Sequence, residues 1–246
     1  MKTADYGIDK PERVRALAMV GLVLIGTGLA QFIALQGSVE AWPELALTIC
    51  LWLGVLLLFT AGVMLWSSKS GKYGLAWKML EELKWRGREK VIDVGCGRGL
   101  LTILAARKAP LGEIVGIDIW SQEQLSDNTK EAAIENAATE RVADCVRFED
   151  GDVTDLRFGS NSFDKVISAF CLHAIGSRKE RNKAVAKLIK LLRPGGEIAI
   201  LDILHTAEYR KIFEEQGLKK IRRSPMKFLY CLPTRYLIAE KAKLED

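Results

Sequence analysis

The sequence predicts an α/β protein with a mainly parallel sheet, preceded by a transmembrane helical hairpin. Three observations carry this: two uncharged apolar runs within the first 66 residues, an alternation of short β-branched and longer amphipathic segments from Lys72 onward, and a glycine-rich turn, DVGCGRG, after the first of those strands. At 246 residues, with 49% hydrophobic and 27% charged side chains, the chain has room for one mid-sized domain and something smaller. The first seventy residues hold five basic side chains (Lys2, Lys10, Arg13, Arg15, Lys69) and five acidic ones (Asp5, Asp9, Glu12, Glu40, Glu44), so the net charge of +5 falls on the remainder.

The first run, Ala16 to Leu35, has 20 residues without a charge, and as a helix it covers about 30 Å, the thickness of a hydrocarbon core. The second, Leu45 to Trp66, has 22, with Trp42 and Trp66 near its ends where indole rings favour the interface. The linker QGSVEAWPE lacks Lys and Arg, whereas basic residues precede the first run and Lys69 and Lys72 follow the second. That asymmetry predicts an integral membrane protein with both termini and the following domain in the cytoplasm. A cleaved signal peptide is the competing reading of the first run, and the second would then act as the stop. Gly26, Ala30 and Ala34 form a small-residue stripe whose simplest partner is the second span; the sharper alternative is a homodimer through the hairpin. The organisation predicted is a membrane anchor over 1–71 and a second domain over 72–246.

After Lys72, KYGLAWKMLEELKWRGREK reads as an amphipathic helix with Leu75, Met79, Leu80 and Leu83 on one face, closed by Gly87. VIDVG (91–95), EIVGIDI (113–119), VRFEDGD (146–152), FDKVISAF (163–170) and GEIAILDI (196–203) read as strands. Helices are predicted from Leu100, through NTKEAAIENAATE, and over KERNKAVAKLIKLLR. GLKKIRRS and TRYLIAEKA, separated by a loop with Pro225 and Pro233, suit an antiparallel edge. No internal repeat or low-complexity tract interrupts the pattern.

Ligands of such sheets bind beyond the carboxyl ends of the strands, so the residues there carry the functional argument. Gly95, Gly97 and Gly99 let the backbone turn sharply and approach a ligand, and the helix beginning near Gly99 offers free N–H groups. A nicotinamide or flavin fingerprint, G-x-G-x-x-G, would place its third glycine where Leu100 stands. Asp93, two places before the first glycine, would repel a pyrophosphate and suits a ligand carrying an ammonium and a sulfonium. Asp118 ends the second strand, placed to accept from both hydroxyls of a ribose, with Ile119 and Trp120 as apolar surfaces for an adenine. Asp152 follows the third strand, placed for an exocyclic amine. A single Asp at a strand end is as often a cap; three in register with a glycine turn form a pattern.

DVGCGRG, GIDIW, DGDV, NSFDKVISAFCLHAI and LLRPGGEIAILD resemble the successive motifs of the class I methyltransferases dependent on S-adenosylmethionine, near the branch that includes quinone- and arsenite-methylating enzymes. The resemblance covers roughly Lys72 to Lys241. It implies a Rossmann-like, seven-stranded sheet with an antiparallel last strand and S-adenosylmethionine as cofactor. It assigns Asp93 and the turn of Gly95, Cys96, Gly97 and Gly99 to the methionine end, Asp118 with Ile119 and Trp120 to the nucleoside, and Asp152 with Val153 to the adenine. The first seventy residues have no counterpart in it.

Methyl transfer needs acceptor and methyl held in line, and neither a metal nor a covalent nucleophile. A hydroxyl or amine acceptor benefits from a base. The two histidines, His173 and His205, both follow strands, with Asp202 and Tyr209 near the second; each histidine reads equally as a packed side chain. Cys50, Cys96, Cys145, Cys171 and Cys231 lack zinc-site spacing and point to a reducing compartment. Only one short helix fits between Ile203 and Leu218, which predicts an open site, and an open site beside a bilayer suits a small lipophilic acceptor. The basic segments SRKERNKAVAKLIKLLR and KKIRRS are placed either against membrane lipids or in solvent. A net +5 without interleaved aromatics disfavours nucleic acid. The alternative to a methyltransferase is a non-catalytic membrane sensor or scaffold that binds the same cofactor, and a dehydrogenase ranks behind both because of Leu100.

Overall fold

The computed structural model describes residues 3–34 and 41–243. The linker at 35–40, with the last residue of the first apolar run, lies outside the described residues, as do the side chains of Ala34 and Trp42. Helix α1 (Pro11–Ala34) and helix α2 (Ala41–Trp66) are both long and apolar enough to cross a membrane. They pack as a pair through glycines. A Cβ on Gly54 would lie 2.8 Å from the carbonyl oxygen of Gly21 and 2.7 Å from Ile25 Cγ1, so the two backbones touch. At Gly28 a Cβ would meet the Leu51 side chain, its Cδ2 at 3.0 Å. Gly26 has open space beside it and Ala30 is exposed, so at these two positions the small-residue stripe does not face the second helix. The outer surfaces are apolar and open: Met19, Ile33, Trp52 and Phe59 are 66%, 68%, 71% and 66% exposed.

Helix α2 does not end in a linker. A π-helical turn, Ser67–Gly71, joins it without a break to α3 (Lys72–Glu81). A domain limit between 71 and 72 therefore falls inside a continuous helix. Ala76, Met79, Leu80 and Leu83 of this segment are buried, with Leu75 at the margin, which is the amphipathic face expected.

The sheet contains β1 (Lys90–Val94), β2 (Glu113–Asp118), β3 (Val146–Asp150), β4 (Phe163–Ala169), β5 (Leu192–Ile203), β6 (Lys219–Arg223), β7 (Lys227–Leu229) and β8 (Leu232–Glu240). Its order is β3-β2-β1-β4-β5-β8-β6, with β7 paired to β8. The first five strands are mutually parallel and β8 runs antiparallel to β5, β6 and β7. This is the Rossmann-like sheet with a reversed last strand; β7 is an eighth strand formed from the loop that carries Pro225. The crossovers are α4 (Leu100–Lys108), α5 (Lys130–Thr139), α6 (Arg178–Leu191) and α7 (Thr206–Glu215). Thr129 and Ser177 cap α5 and α6, accepting from the backbone N–H groups of Ala132 and Glu180 at 3.1 Å each.

Alternation along the strands divides the core into two layers. Val91, Ile114 and Ile167 face Met79, Leu80, Leu101 and Leu104 of α3 and α4. Ile92, Val115 and Val166 face Val185, Leu188, Tyr209 and Phe213 of α6 and α7. Residues 5–10, upstream of α1, lie across the outside of the domain as a strap. Ile8 N donates to Ser126 Oγ (2.8 Å), Ser126 N to Ile8 O (2.9 Å), Lys10 N to Gln124 O (2.9 Å) and Asn136 Nδ2 to Asp5 O (2.9 Å). Asp9 ends the strap, its N–H donating to Ser68 Oγ (3.0 Å) and its carboxylate pairing with Lys72 Nζ (2.9 Å).

The backbone contact between α1 and α2 makes Gly54→Val an overpacking substitution, expected to destabilise the folded chain by about 1–3 kcal/mol. Gly26→Val, where a Cβ meets nothing within 4 Å, should be neutral. Thermal unfolding in detergent compares the two; equal midpoints would show that the hairpin is not closed through Gly54.

Candidate functional site

The turn after β1 is built from three left-handed glycines: Gly95, Gly97 and Gly99 have φ of +73°, +51° and +85°. Gly95 and Cys96 donate their N–H groups to Ile117 O at 2.9 and 3.0 Å, which fixes the turn to the end of β2. A side chain at Gly95 is excluded twice, by φ and by the Cys171 Sγ, which occupies the space where a Cβ would stand. Gly99 forms the left-handed start of α4, whose first N–H groups open toward the turn.

Asp93 is wholly buried beneath this turn. Thr102 Oγ1 donates to its Oδ2 at 2.7 Å, while its Oδ1 has no partner. Burial pushes this carboxyl up to about 7; the Thr102 hydroxyl opposes the shift and the Asp118 charge adds to it. Asp118 is the clasp of the site. Its Oδ2 accepts from Gly97 N (2.8 Å) and its Oδ1 from Trp120 N (2.7 Å) and Asn128 Nδ2 (3.2 Å). A carboxylate offers about four acceptor positions, so Asp118 is oriented by its own chain with acceptor capacity left over. Ile119 is 65% exposed, and the Trp120 indole is fixed across the strand ends by Nε1 donating to Asp150 Oδ1 (2.8 Å). Asp152 accepts through Oδ1 from Thr154 N (2.7 Å) and Thr154 Oγ1 (2.8 Å), and Val153 packs into the core beside Val94 and Ile117. The ten residues assigned to the cofactor thus lie along one edge of β1, β2 and β3.

At the ends of β4 and β5 the structure separates the two histidines. His173, on the turn after Cys171, brings Nδ1 to 2.6 Å from Asp202 Oδ1, and its own N–H donates to Asp202 Oδ2 at 2.9 Å. Asp202 is fully buried and accepts also from Tyr209 Oη (3.1 Å) and Ile203 N (2.9 Å). Burial first, and then the Asp202 charge, raise the Tyr209 phenol and keep it a donor. With Nδ1 held by the carboxylate, the Nε2 lone pair of His173 is the free one. His205 lies apart, with Nδ1 3.4 Å from Arg181 Nη2 and 3.8 Å from Glu208 Oε2. Asp202 and Tyr209 are near His205 in sequence, but the fold delivers both to His173.

The buried polar atoms left without a partner, among the described residues, are Asp93 Oδ1, Asn128 Oδ1, Arg98 Nε and Arg181 Nε. The first three surround the glycine turn. An uncompensated buried polar group is costly, and a ligand with an ammonium and hydroxyls at this edge offers partners of the right kind, so the residues present fit S-adenosylmethionine. Asn128 and Asp150 were not singled out in the sequence; a lone Asn before a helix cap and a strand-final Asp give no separate signal.

Residues 91–196 match the family described as methyltransferase domain. The chain is 28% identical over 126 residues to the demethylmenaquinone methyltransferase of Symbiobacterium thermophilum, covering 51% of this chain and 47% of that protein. It is 29% identical over 130 residues to the chloroplastic 2-phytyl-1,4-beta-naphthoquinone methyltransferase of Arabidopsis thaliana, again 51% and 47%. The chain thus spans about half the length of the curated relatives it matches. Its fold superposes on a SAM dependent methyltransferase from Aquifex aeolicus with a TM-score of 0.54 at 17% identity, over 74% of this chain and 97% of that one. Left-handed glycines above a buried carboxylate with one unpaired oxygen, on a sheet of this order, agree with those matches: residues 91–196 carry a methyltransferase domain of the class I, S-adenosylmethionine-dependent kind.

Proposed function

We propose that the protein is a membrane-anchored methyltransferase that moves the methyl group of S-adenosylmethionine to a small lipophilic acceptor, with both ends of the chain in the cytoplasm. The observation that carries the reading is the pair of a part-exposed His173 with the buried Asp202, two residues from the Cys171 side chain that rests on the glycine turn. Outer faces of α1 and α2 as open as Ile33 and Trp52, at 68% and 71%, support a bilayer as their surroundings, since apolar patches of that extent are rare in water. Two relatives named for quinone substrates support a lipophilic acceptor such as a quinone, a polyprenoid or a modified lipid.

S-adenosylmethionine supplies a methyl group on a sulfonium that already carries its leaving group. Asp93 is the partner for the ligand's ammonium, the glycines give room for its methionine end, and Asp118 has acceptor capacity for ribose. Ile119 and Trp120 flank the base, and Asp152 with Val153 closes the adenine side. His173 takes the acceptor's proton at Nε2, and Asp202 holds the ring's tautomer and stabilises the imidazolium. Tyr209 and the Ile203 N–H orient that carboxylate. His205, held between Arg181 and Glu208 and apart from the His173–Asp202 pair, is given a positional role.

Asp118→Ala should weaken S-adenosylmethionine binding roughly ten- to a hundredfold, because a charge-assisted hydrogen bond is worth about 1.5–3 kcal/mol. Unchanged affinity by calorimetry would remove Asp118 from the site. A carboxyl raised to about 7 keeps its proton until the cationic ligand displaces it. Binding therefore releases a proton, and affinity should climb with pH, up to about tenfold per unit below 7, then level off. Asp93→Asn should flatten that profile; a flat profile in the wild type would sink the assignment.

The functional test is transfer of labelled methyl into vesicles made from a total membrane lipid extract. His173→Gln should slow transfer by about 10²–10⁴-fold while leaving cofactor affinity intact. Label absent from the lipid phase with the wild type would refute the lipophilic acceptor.

A further inference from the structure

The β7–β8 hairpin is unusual in its residues and its position. Its two turn residues, Tyr230 and Cys231, have φ of +53° and +58°, a conformation that hairpins of this length usually give to Asn and Gly. Side chains there carry strain, and the surroundings must hold it. They do so through Tyr230, whose N–H donates to Ser67 Oγ (3.0 Å) and whose hydroxyl donates to Asp9 Oδ2 (2.9 Å). Ser67 is the first residue beyond α2 and Asp9 lies two residues before α1. The hairpin tip is therefore level with the point where both spans leave the domain. Leu229 packs against the same junction, its Cδ2 standing 2.6 Å from where a Cβ on Gly71 would be.

Beside this anchored tip the hairpin presents apolar side chains outward. Phe228 is 61% exposed, Met226 45% and Leu232 37%, and Leu204, at the end of β5, is 46% exposed. Phe228 pairs with Pro233, and Leu204 N donates to Pro233 O (3.1 Å), so Phe228, Pro233 and Leu204 form one row across three strand ends. Lys227, Arg222 and Arg223, all exposed, flank it with positive charge. On its inner side the Tyr230 ring stands edge-on to Phe170 at 5.7 Å, and Phe170 is three residues from His173. An apolar row with a basic flank, continuous with two spans on one side and with the candidate base on the other, matches the boundary between head groups and acyl chains.

We propose that the β7–β8 hairpin is seated in the interfacial layer of the bilayer that α1 and α2 cross, with Met226, Phe228 and Leu232 inserted among the lipids. The row Phe228–Pro233–Leu204 is then the entrance by which a membrane-dissolved acceptor comes to His173 without passing through water. This rests on the membrane-anchored reading above, and the test separates the two. Cys231 is the exposed cysteine among those described, and Cys50 lies within α2.

The full chain, in vesicles of phosphatidylcholine and phosphatidylglycerol, would carry an environment-sensitive fluorophore at one of these thiols, the other and Cys145 being replaced by alanine. Burial raises the Cys96 and Cys171 thiols and keeps both unreactive. Expected is quenching at Cys231 by lipids with a nitroxide near the head group, protection from aqueous iodide, and quenching at Cys50 by lipids with the nitroxide near the chain centre. Cys231 open to iodide and untouched by either lipid, with Cys50 quenched, would overturn the seating and leave the anchor standing. Both thiols unquenched would overturn the anchor as well. In Met226→Glu/Phe228→Glu the quenching at Cys231 should be lost; its persistence would overturn the insertion of those side chains.

Discussion

The architecture depends on one half-buried ion pair. Asp9 Oδ2 receives both Lys72 Nζ and the Tyr230 hydroxyl, each at 2.9 Å, while the Asp9 N–H goes to Ser68. Three segments distant in sequence thus meet on a single carboxylate: the strap before α1, the helix that leaves α2, and the tip of the last hairpin. Lys72 is 7% exposed at its side chain, so it depends on this partner, and removing one member of such a pair costs far more than a surface bridge is worth. The contact fixes how the helical hairpin and the α/β domain sit on each other.

The same economy operates at the ligand edge. Asp118 holds the glycine turn, the segment after β2 and the approach to α5 through Gly97, Trp120 and Asn128. Orientation is thereby settled before any ligand arrives, which lowers the ordering cost of binding. Asp93 plays the complementary part: its burial is only partly compensated by Thr102, and the unpaired oxygen stores an interaction that a cation can complete. Between them the chain contributes one carboxylate that its own donors hold in place and one whose second oxygen they leave unpaired.

Much of this was legible in the sequence because it is written in local patterns. The glycines at 95, 97 and 99, the strand-final Asp118 and the alternation of strand and helix are short-range signals, and the sheet follows from them. What stayed hidden depends on distance. The sequence sets Asp202 and Tyr209 beside His205, yet β5 and the turn after β4 bring both to His173. The small-residue stripe of Gly26, Ala30 and Ala34 satisfies a spacing rule, but Gly21, Gly28 and Gly54 make the close approach, because which face meets the partner depends on the twist of both helices. Residues 5–10 show no periodicity at all, and their hydrogen bonds run to Ser126, Gln124 and Asn136, more than a hundred positions away.

The π-helical turn at Ser67–Gly71 has a geometric meaning of its own. Each residue of an α-helix advances the azimuth by about 100°, and a π turn accommodates one residue more than an α turn does. The stripe of α2 that faces α1 and the stripe of α3 that faces the sheet are therefore out of phase by that increment, although the helix axis runs on unbroken. The bulge acts as a fixed angular offset. A chain with one residue fewer here would keep both halves folded and yet turn the strand ends, with their clasped glycine loop, away from the side of the molecule on which the spans emerge.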